Sequence, residues 1–201
     1  TNATGIVLVI GNVNADYDVN FTKTNTHATG GDAYLLLWSA PSTVNIAGDL
    51  NVASTGAVGG ALGVSIGGLG TDVNIAGEVN LNLIEGGDIV LYMTGGNFNV
   101  GTNLNINKTG GQDVNIDLTG FGKIDVTGNV AIDADGGDDV NISLDQTGVD
   151  HFLVGGDFVS DFDGGRALNI DLLQYGEFEI AGDFIATNDG NINNAGINIS
   201  T

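Results

Sequence analysis

The chain has 201 residues, with 34 glycines, one proline and no cysteine, and it carries a formal charge of −21 from 25 acidic and four basic residues. This charge argues against nucleic acid and anionic membrane as partners, because both are held mainly by lysine and arginine, and it favours divalent cations. The lack of cysteine excludes disulfides and thiolate metal sites, and no apolar run approaches the roughly 20 residues of a membrane-spanning helix.

The first unit, residues 1–43, differs from the rest of the chain. It begins at Thr1, which fits removal of a leader peptide, and its first feature is the apolar run Ile6, Val7, Leu8, Val9 and Ile10. A threonine-rich excursion follows from Phe21 to Thr29, and then the run from Tyr34 to Trp38, which is too apolar for a strand with one face in water. We interpret this unit as an atypical first coil with a loop insertion and something packed on it.

The clearest repeat unit runs from Phe98 to Lys123. Apolar and polar residues alternate from Phe98 to Ile106, which predicts a strand with one buried face. After a predicted turn, Lys108–Gly111, the alternation resumes from Val114 to Leu118, and a glycine-rich segment then turns the chain back. Each unit therefore predicts two strands joined by a turn.

The same pattern recurs along the whole chain. The first strands begin at Val7, Val44, Val73, Phe98, Ile124, Phe152 and Phe178. The second inward column is Val9, Ile46, Ile75, Val100, Val126, Val154 and Ile180, and the fourth is Val13, Leu50, Val79, Leu104, Val130, Phe158 and Phe184. The third column is Gly11, Gly48, Gly77, Thr102, Gly128, Gly156 and Gly182, and we take it as an inward column that marks a bend or a close approach of two sheets.

The second strand of each unit is shorter and less regular. The predicted second strands are Leu62 to Ile66, Ile89 to Met93, Val114 to Leu118, Val140 to Leu144, Leu168 to Leu172 and Ile197 to Ile199. Repeated strands with like residues in register predict an all-β fold, a β-solenoid of about seven two-strand coils. We predict a single domain, 1–201, with regular repeats over 44–177 and a terminal coil over 178–201. The alternative is an antiparallel β-sandwich of hairpins, because turn signals at this spacing fit that fold as well.

These short, glycine- and asparagine-rich strand–turn–strand repeats resemble the secreted β-strand-repeat proteins of microbial surfaces. The architecture is most similar to that of curlin-type fibre subunits, and the resemblance extends from Val7 to the end of the chain. It implies a two-sheet solenoid that assembles with itself outside the cell.

The sequence contains no catalytic constellation, and we do not expect an enzyme or a bound organic cofactor. The one cluster above background is acidic: Asp133, Asp135, Asp138 and Asp139 lie in one turn, and Asp161 and Asp163 lie in the equivalent turn of the next unit. Oxygen-rich turns with glycine suit Ca²⁺, so these residues are the candidate metal ligands. The alternative is a solvated face of mutually repelling carboxylates.

Two functional classes follow from this sequence. The first is a structural subunit of an extracellular filament or matrix fibre that polymerises head to tail through open solenoid edges. Its assembly interface is expected at Ile6, Val7, Leu8, Val9 and Ile10 on one end and at Phe178, Ile180 and Phe184 on the other. The second class is an adhesin or surface-stalk fragment that presents loops to a ligand. Both imply a secreted, cell-surface protein that neither binds nucleic acid nor inserts into a membrane.

Overall fold

The computed structural model describes residues 6–24, 31–38, 42–55, 60–67, 70–84, 87–110, 113–119, 122–135, 139–145, 151–163, 167–172, 176–187 and 196–200. This part of the chain contains strands and no helix. Its strands pair in parallel throughout, within three sheets, and parallel pairing excludes the antiparallel sandwich, in which neighbouring strands run in opposite directions. The fold is therefore a β-solenoid with three parallel sheets.

Successive strands are distributed to the three sheets, named A, B and C, in rotation. Sheet A contains β1 (Ile6–Ile10), β4 (Ala33–Trp38), β7 (Leu62–Gly67), β10 (Ile89–Met93), β13 (Val114–Thr119), β16 (Val140–Asp145), β19 (Ala167–Asp171) and β22 (Gly196–Ser200). Sheet B contains β2 (Val13–Ala15), β5 (Ser42–Ile46), β8 (Thr71–Ile75), β11 (Gly96–Val100), β14 (Gly122–Val126), β17 (His151–Val154) and β20 (Glu177–Ile180). Sheet C contains β3 (Val19–Thr24), β6 (Leu50–Thr55), β9 (Val79–Ile84), β12 (Leu104–Thr109), β15 (Val130–Asp135), β18 (Phe158–Asp163) and β21 (Phe184–Thr187).

Each coil has three strands, so the prediction of two strands per coil was wrong, and so is the two-sheet solenoid that the resemblance implies. The predicted first strand is bent into two, for example into β8 and β9, and the glycine column lies at the bend. A Cβ atom on Gly77 would lie 2.1 Å from Oδ1 of Asp49 and 2.7 Å from the carbonyl oxygen of Gly48, so no side chain fits there. The column thus marks a corner between sheets B and C rather than an inward position, and Thr102 in the same column is exposed.

The number of turns also differs slightly from the predicted seven coils. The structure has about five turns that are covered by a neighbouring coil on both sides, from β4–β6 to β16–β18, and the coils at the two ends are each open on one side. These enclosed coils hold the core, where the first, second and fourth predicted columns are buried as expected. Phe98, Leu104 and Phe152 are each 0% exposed. The third face of the core comes from sheet A, whose strands from β7 to β22 coincide with the predicted second strands.

The first unit is aligned differently from the prediction. Val7 is not equivalent to Val44: β1 pairs with β4 in sheet A, and Val13 is the partner of Val44. The predicted excursion contains β3, in which Phe21 and Lys23 are buried. The error arose because the alternation of Ile6–Val13 is compatible with either alignment, whereas only the structure shows that the apolar run belongs to sheet A.

Candidate assembly surfaces

The solenoid has two end surfaces, each formed by the outermost strand of every sheet. The N-terminal surface consists of β1, β2 and β3, and the C-terminal surface consists of β20, β21 and β22. An outermost strand of a parallel sheet leaves a row of backbone donors and acceptors without a neighbour, which makes it a template for another chain.

The structure places every predicted assembly residue on these two surfaces. Ile6–Ile10 are β1, Phe178 and Ile180 lie in β20, and Phe184 lies in β21. Leu8 is 40% exposed although its partner Leu35 in the next coil is fully buried, which is the effect of an uncovered end. The side chains of Ile6, Val7 and Val9 lie outside the described residues.

The C-terminal surface contains an apolar hollow of about 270 Å³, lined by Ile170, Leu172, Phe178, Ile180, Phe184 and Ile199. In the enclosed coils, the corresponding space is filled by the inward side chains of the next coil. Three ring contacts stiffen the hollow: the Phe152–Phe178, Phe158–Phe178 and Phe158–Phe184 centroids lie 5.3, 5.4 and 5.4 Å apart. Such spacing is typical of favourable aromatic packing, so the phenylalanine rings that line the hollow are packed against the rings of the coil below.

The outer faces of the sheets carry ladders of asparagine. On sheet B, the amide of Asn45 donates to Oδ1 of Asn14 at 2.7 Å, Asn74 donates to Asn45 at 2.9 Å, and Asn99 donates to Asn74 at 2.8 Å. Sheet C repeats this arrangement from Asn20 to Asn105. In every one of these bonds the later coil donates and the earlier coil accepts.

The corner between sheets B and C contains a second kind of ladder. The backbone N–H of Asp49 donates to Oδ1 of Asp18 at 2.9 Å, and that of Glu78 donates to Asp49 at 2.8 Å. At the far end, the N–H of Asp183 donates to Oδ1 of Asp157 at 2.9 Å. Because a backbone N–H can only donate and a carboxylate only accept, these corner bonds have the same direction as the asparagine ladders.

This common direction makes the two end surfaces chemically different. The C-terminal surface presents side-chain acceptors, namely the Asp183 carboxylate and the amide oxygen of Asn198, for which the described residues provide no further coil. The N-terminal surface presents donors, namely the backbone N–H of Asp18 and the amide groups of Asn14 and Asn20. These ladders were not predicted from the sequence, although Asn and Asp return to the same outward columns in successive units.

The candidate calcium residues are only partly brought together. Asp133 lies beside Asp161, and Asp135 beside Asp163, in neighbouring strands of sheet C. Asp138 lies outside the described residues. Asp139 is at another corner, where its Oδ1 accepts the backbone N–H of Ala167 at 3.1 Å. Within the described ranges, no group of three or more acidic or histidine side chains is arranged to hold a metal ion, so calcium binding remains a prediction.

The acidic face of sheet C has an electrostatic cost. Partial burial raises the pKa of the Asp133 carboxyl above its ordinary value, and the neighbouring charges of Asp161 and Asp135 raise it further. Thr187 stabilises the carboxylate of Asp161, because its hydroxyl donates to Oδ1 of Asp161 at 2.6 Å. The raised pKa indicates carboxylates that repel each other when no cation is bound.

Two lysines occupy inward positions that the sequence did not predict. Lys108, expected in a turn, lies in β12 with 4% exposure, and Lys23 in β3 is 3% exposed. The Lys23 ammonium donates to the carbonyl oxygens of Gly31 and Asp32, which come just before β4. Burial lowers the pKa of Lys23, and the Asp32 charge opposes this effect. Lys23 thus binds backbone carbonyl groups just before β4.

A shallow groove of about 690 Å³ follows the outer face of sheet B beside the corner. Asn45, Asn74 and Asn99 form one wall, and Ala47 and Ala76 belong to its lining. His151 lies in β17 on the same sheet, where Nδ1 is 2.5 Å from Oε2 of Glu177. Among the described side chains, none of these groups forms a nucleophile–base pair.

Comparison with protein-family models, with curated proteins and with solved structures gives no match to this chain. The structure contains no helix long and apolar enough to cross a membrane within the residues it describes. What is established is therefore the β-solenoid architecture with its two dissimilar end surfaces.

Proposed function

We propose that the chain is a structural subunit that polymerises head to tail into an extracellular filament or matrix fibre. The observation that carries this proposal is the complementarity of the two end surfaces. One surface has an apolar hollow and side-chain acceptors, and the other has Val13, Ala15 and Val19 with side-chain and backbone donors. A joint would continue the core, the sheets and the corner ladder, in which the backbone N–H of Asp18 would face the carboxylate of Asp183.

The direction of the ladders favours a head-to-tail joint over a symmetric dimer. Two C-terminal surfaces would bring acceptors against acceptors, including the carboxylates of Asp183, and two N-terminal surfaces would bring donors against donors. Only unlike ends pair donors with acceptors. A contact between unlike surfaces does not close on itself and gives an open chain of subunits.

The location outside the cell rests on the resemblance to secreted surface proteins. A structural role rather than an enzymatic one rests on the lack of a nucleophile–base pair among the described side chains. The partner of the chain is then a second copy of itself, with divalent cations as the expected small partners of its acidic face.

The test uses one variant in the hollow and one beside it. Phe184 lines the hollow and is 38% exposed, while its neighbour Ile185 points outward from the same strand and is 41% exposed. We expect Phe184→Asp to give soluble monomers, because a charge in the hollow cannot be covered by apolar side chains. Ile185→Asp adds the same charge outside the hollow and should leave filaments intact. The measurements are negative-stain electron microscopy and sedimentation over a range of concentrations.

Each outcome has a definite meaning. Filaments of the 201-residue chain that are lost in Phe184→Asp and kept in Ile185→Asp support the proposal. If the unaltered chain stays monomeric at high concentration, the proposal is wrong, and the adhesin or surface-stalk alternative becomes the better one.

A further inference from the structure

The end surfaces are complementary in chemistry, but they do not match in strand number. Sheet A has eight strands in the described structure, whereas sheets B and C have seven each. Because the chain visits the sheets in the order A, B, C, the strand β22 lies one level beyond β20 and β21. At the other end, β1, β2 and β3 all belong to one coil, each paired with a strand of the coil β4–β6.

This extra strand creates a conflict in a head-to-tail joint. If sheets B and C continue from one copy to the next, β2 of the incoming copy lies on β20, and β3 lies on β21. A single strand position in sheet A then remains between β19 of the first copy and β4 of the second. Neighbouring strands are about 4.8 Å apart, so β22 of the first copy and β1 of the second cannot both occupy it.

The two competing strands are equivalent in register. On β19, Ile197 pairs with Leu168 and Ile199 with Ile170. On β4, Ile6 pairs with Ala33 and Leu8 with Leu35. Both strands therefore have apolar residues at the same two register positions of sheet A, and either could fill the place between the copies.

The strand that leaves the joint is exposed to water, and the two strands differ greatly in what that exposure costs. The strand β1 consists of five consecutive apolar residues, IVLVI, whereas β22 has the sequence GINIS with two. In the isolated chain, Ile197 and Ile199 are already 50% and 59% exposed. Because the cost of exposure grows with apolar area, release of β22 is the less costly choice.

We propose that β1 of the incoming copy displaces β22 of the preceding copy and becomes the one strand of sheet A that pairs with both chains. This inference rests on the proposed head-to-tail filament. In it, β22 acts as a plug on the C-terminal surface of the free subunit. Leu8 of the incoming copy takes the place of Ile199 over the hollow, and residues 196–200 leave the sheet. Assembly is thereby opposed until β22 is released.

The inference is tested by weakening the plug without touching the joint. Ile199→Asp should loosen β22 from β19 and promote assembly. If β22 is docked about nine-tenths of the time, the critical concentration should fall roughly tenfold, because apparent affinity scales with the competent fraction. Removal of residues 196–201 should act in the same direction. Ser65→Asp, which adds the same charge to the outer face of β7 within sheet A, is the control and should change nothing.

Limited proteolysis with mass mapping gives a second, independent readout. Residues 188–201 should be cut faster in filaments of the unaltered chain than in its monomers. Filaments whose critical concentration is unchanged or raised by Ile199→Asp, or in which this segment becomes protected, would overturn the inference and leave the proposed function standing. If the unaltered chain and all variants form no filaments, the proposed function fails and this inference falls with it.

Discussion

The outer face of sheet A differs between its two halves, although the inner face is the same throughout. In the first half, Tyr34 and Leu36 on β4, and Val90 and Tyr92 on β10, are half-buried outward residues. In the second half, the same outward positions hold the amides of Asn115, Asn141, Asn169 and Asn198, bonded to one another at 2.8–2.9 Å. The inner face of sheet A therefore needs apolar residues in every coil, whereas its outer face can carry either apolar side chains or a ladder of asparagines.

The comparison of the two halves shows that a repeated fold places different requirements on apolar columns and on polar columns. An apolar column accepts side chains of different size, as Val73, Phe98 and Ile124 show in sheet B. A ladder of amides needs the same residue in each coil, because every amide must both donate and accept. The sheet B ladder ends where Asp125 replaces asparagine, and this carboxylate is instead bound by Lys123 at 2.7 Å.

The largest expected effect tests whether the inner face is common to both halves. We call the half of sheet A with apolar outward residues the apolar half, and the half with the asparagine ladder the polar half. Leu91→Asp in the apolar half and Ile142→Asp in the polar half should each prevent folding. Both positions are 1% exposed, and an unpaired buried charge costs more than about 4 kcal/mol. Circular dichroism of both variants is the measurement. Tolerance of either one would mean that the halves do not share a continuous core.

A smaller effect is expected at Gly63, which is specific to the apolar half. The ring of Tyr34 lies over this glycine, so that a Cβ atom there would be 2.3 Å from Cδ1 of the ring. Gly63→Val should destabilise the fold by about 1–3 kcal/mol through displacement of the ring. In a Tyr34→Ala background the same change should cost nothing, as a double-mutant cycle in urea would measure; an equal cost in both backgrounds would contradict the ring contact.

The corresponding change in the polar half is Asn141→Ala. It removes the acceptor for Asn169 and the donor to Asn115, and we expect a loss of about 1–2 kcal/mol in the free energy of unfolding. Ser143→Ala, on the same face of the same strand, should stay within about 0.5 kcal/mol. Equal effects at the two positions would show that the amide ladder contributes no stability of its own.

The acidic face of sheet C offers a third outer surface for comparison, with a smaller effect. The pKa of Asp133 is raised in the folded chain, so the folded state holds the proton more tightly and ionisation at neutral pH is destabilising. Asp133→Asn should therefore stabilise the protein at neutral pH by less than about 1 kcal/mol. This advantage should shrink as the pH falls through the raised pKa towards about 4, and it should also shrink at high salt.

Calcium provides the smallest and most specific test of that face. Millimolar Ca²⁺ should raise the melting temperature above that in sodium chloride of equal ionic strength, because we expect it to bind between the carboxylates of Asp133 and Asp161. The Asp133→Asn variant should lose the difference. Identical melting curves in the two salts for the unaltered chain would leave charge screening as the sole effect.

Much of the fold could be predicted from the sequence because the inward columns are set by a single physical demand, the burial of apolar side chains. The positions of Val44, Phe98 and Leu104 followed from alternation alone. The third sheet could not be predicted in this way, because alternation continues across the corner at Gly77 without a change of period. At such a corner the backbone changes direction while the side chains keep alternating, so the alternation does not show where the corner is.

The predicted assembly residues lie in the outermost strands β1, β20 and β21, and their role in an interface stays a prediction. No hydrogen-bonding role was predicted for Asp18, Asp49 or Asp183, whereas the carboxylates of Asp18 and Asp49 accept backbone N–H groups and that of Asp183 is placed to accept one. Lys108 was assigned to a turn because charged residues are rarely buried. The structure buries it because the alternation of inward and outward residues in β12 continues past Ile106 to Lys108.

The direction of the corner bonds has a consequence for how the molecule is made. The bonds join residues 25–31 positions apart, and the acceptor always belongs to the segment that leaves the ribosome first. A chain that emerges from its N-terminus can therefore complete one coil, hold its carboxylates ready, and use them to order the next. Because each segment needs only its predecessor, the time to fold should grow in proportion to chain length.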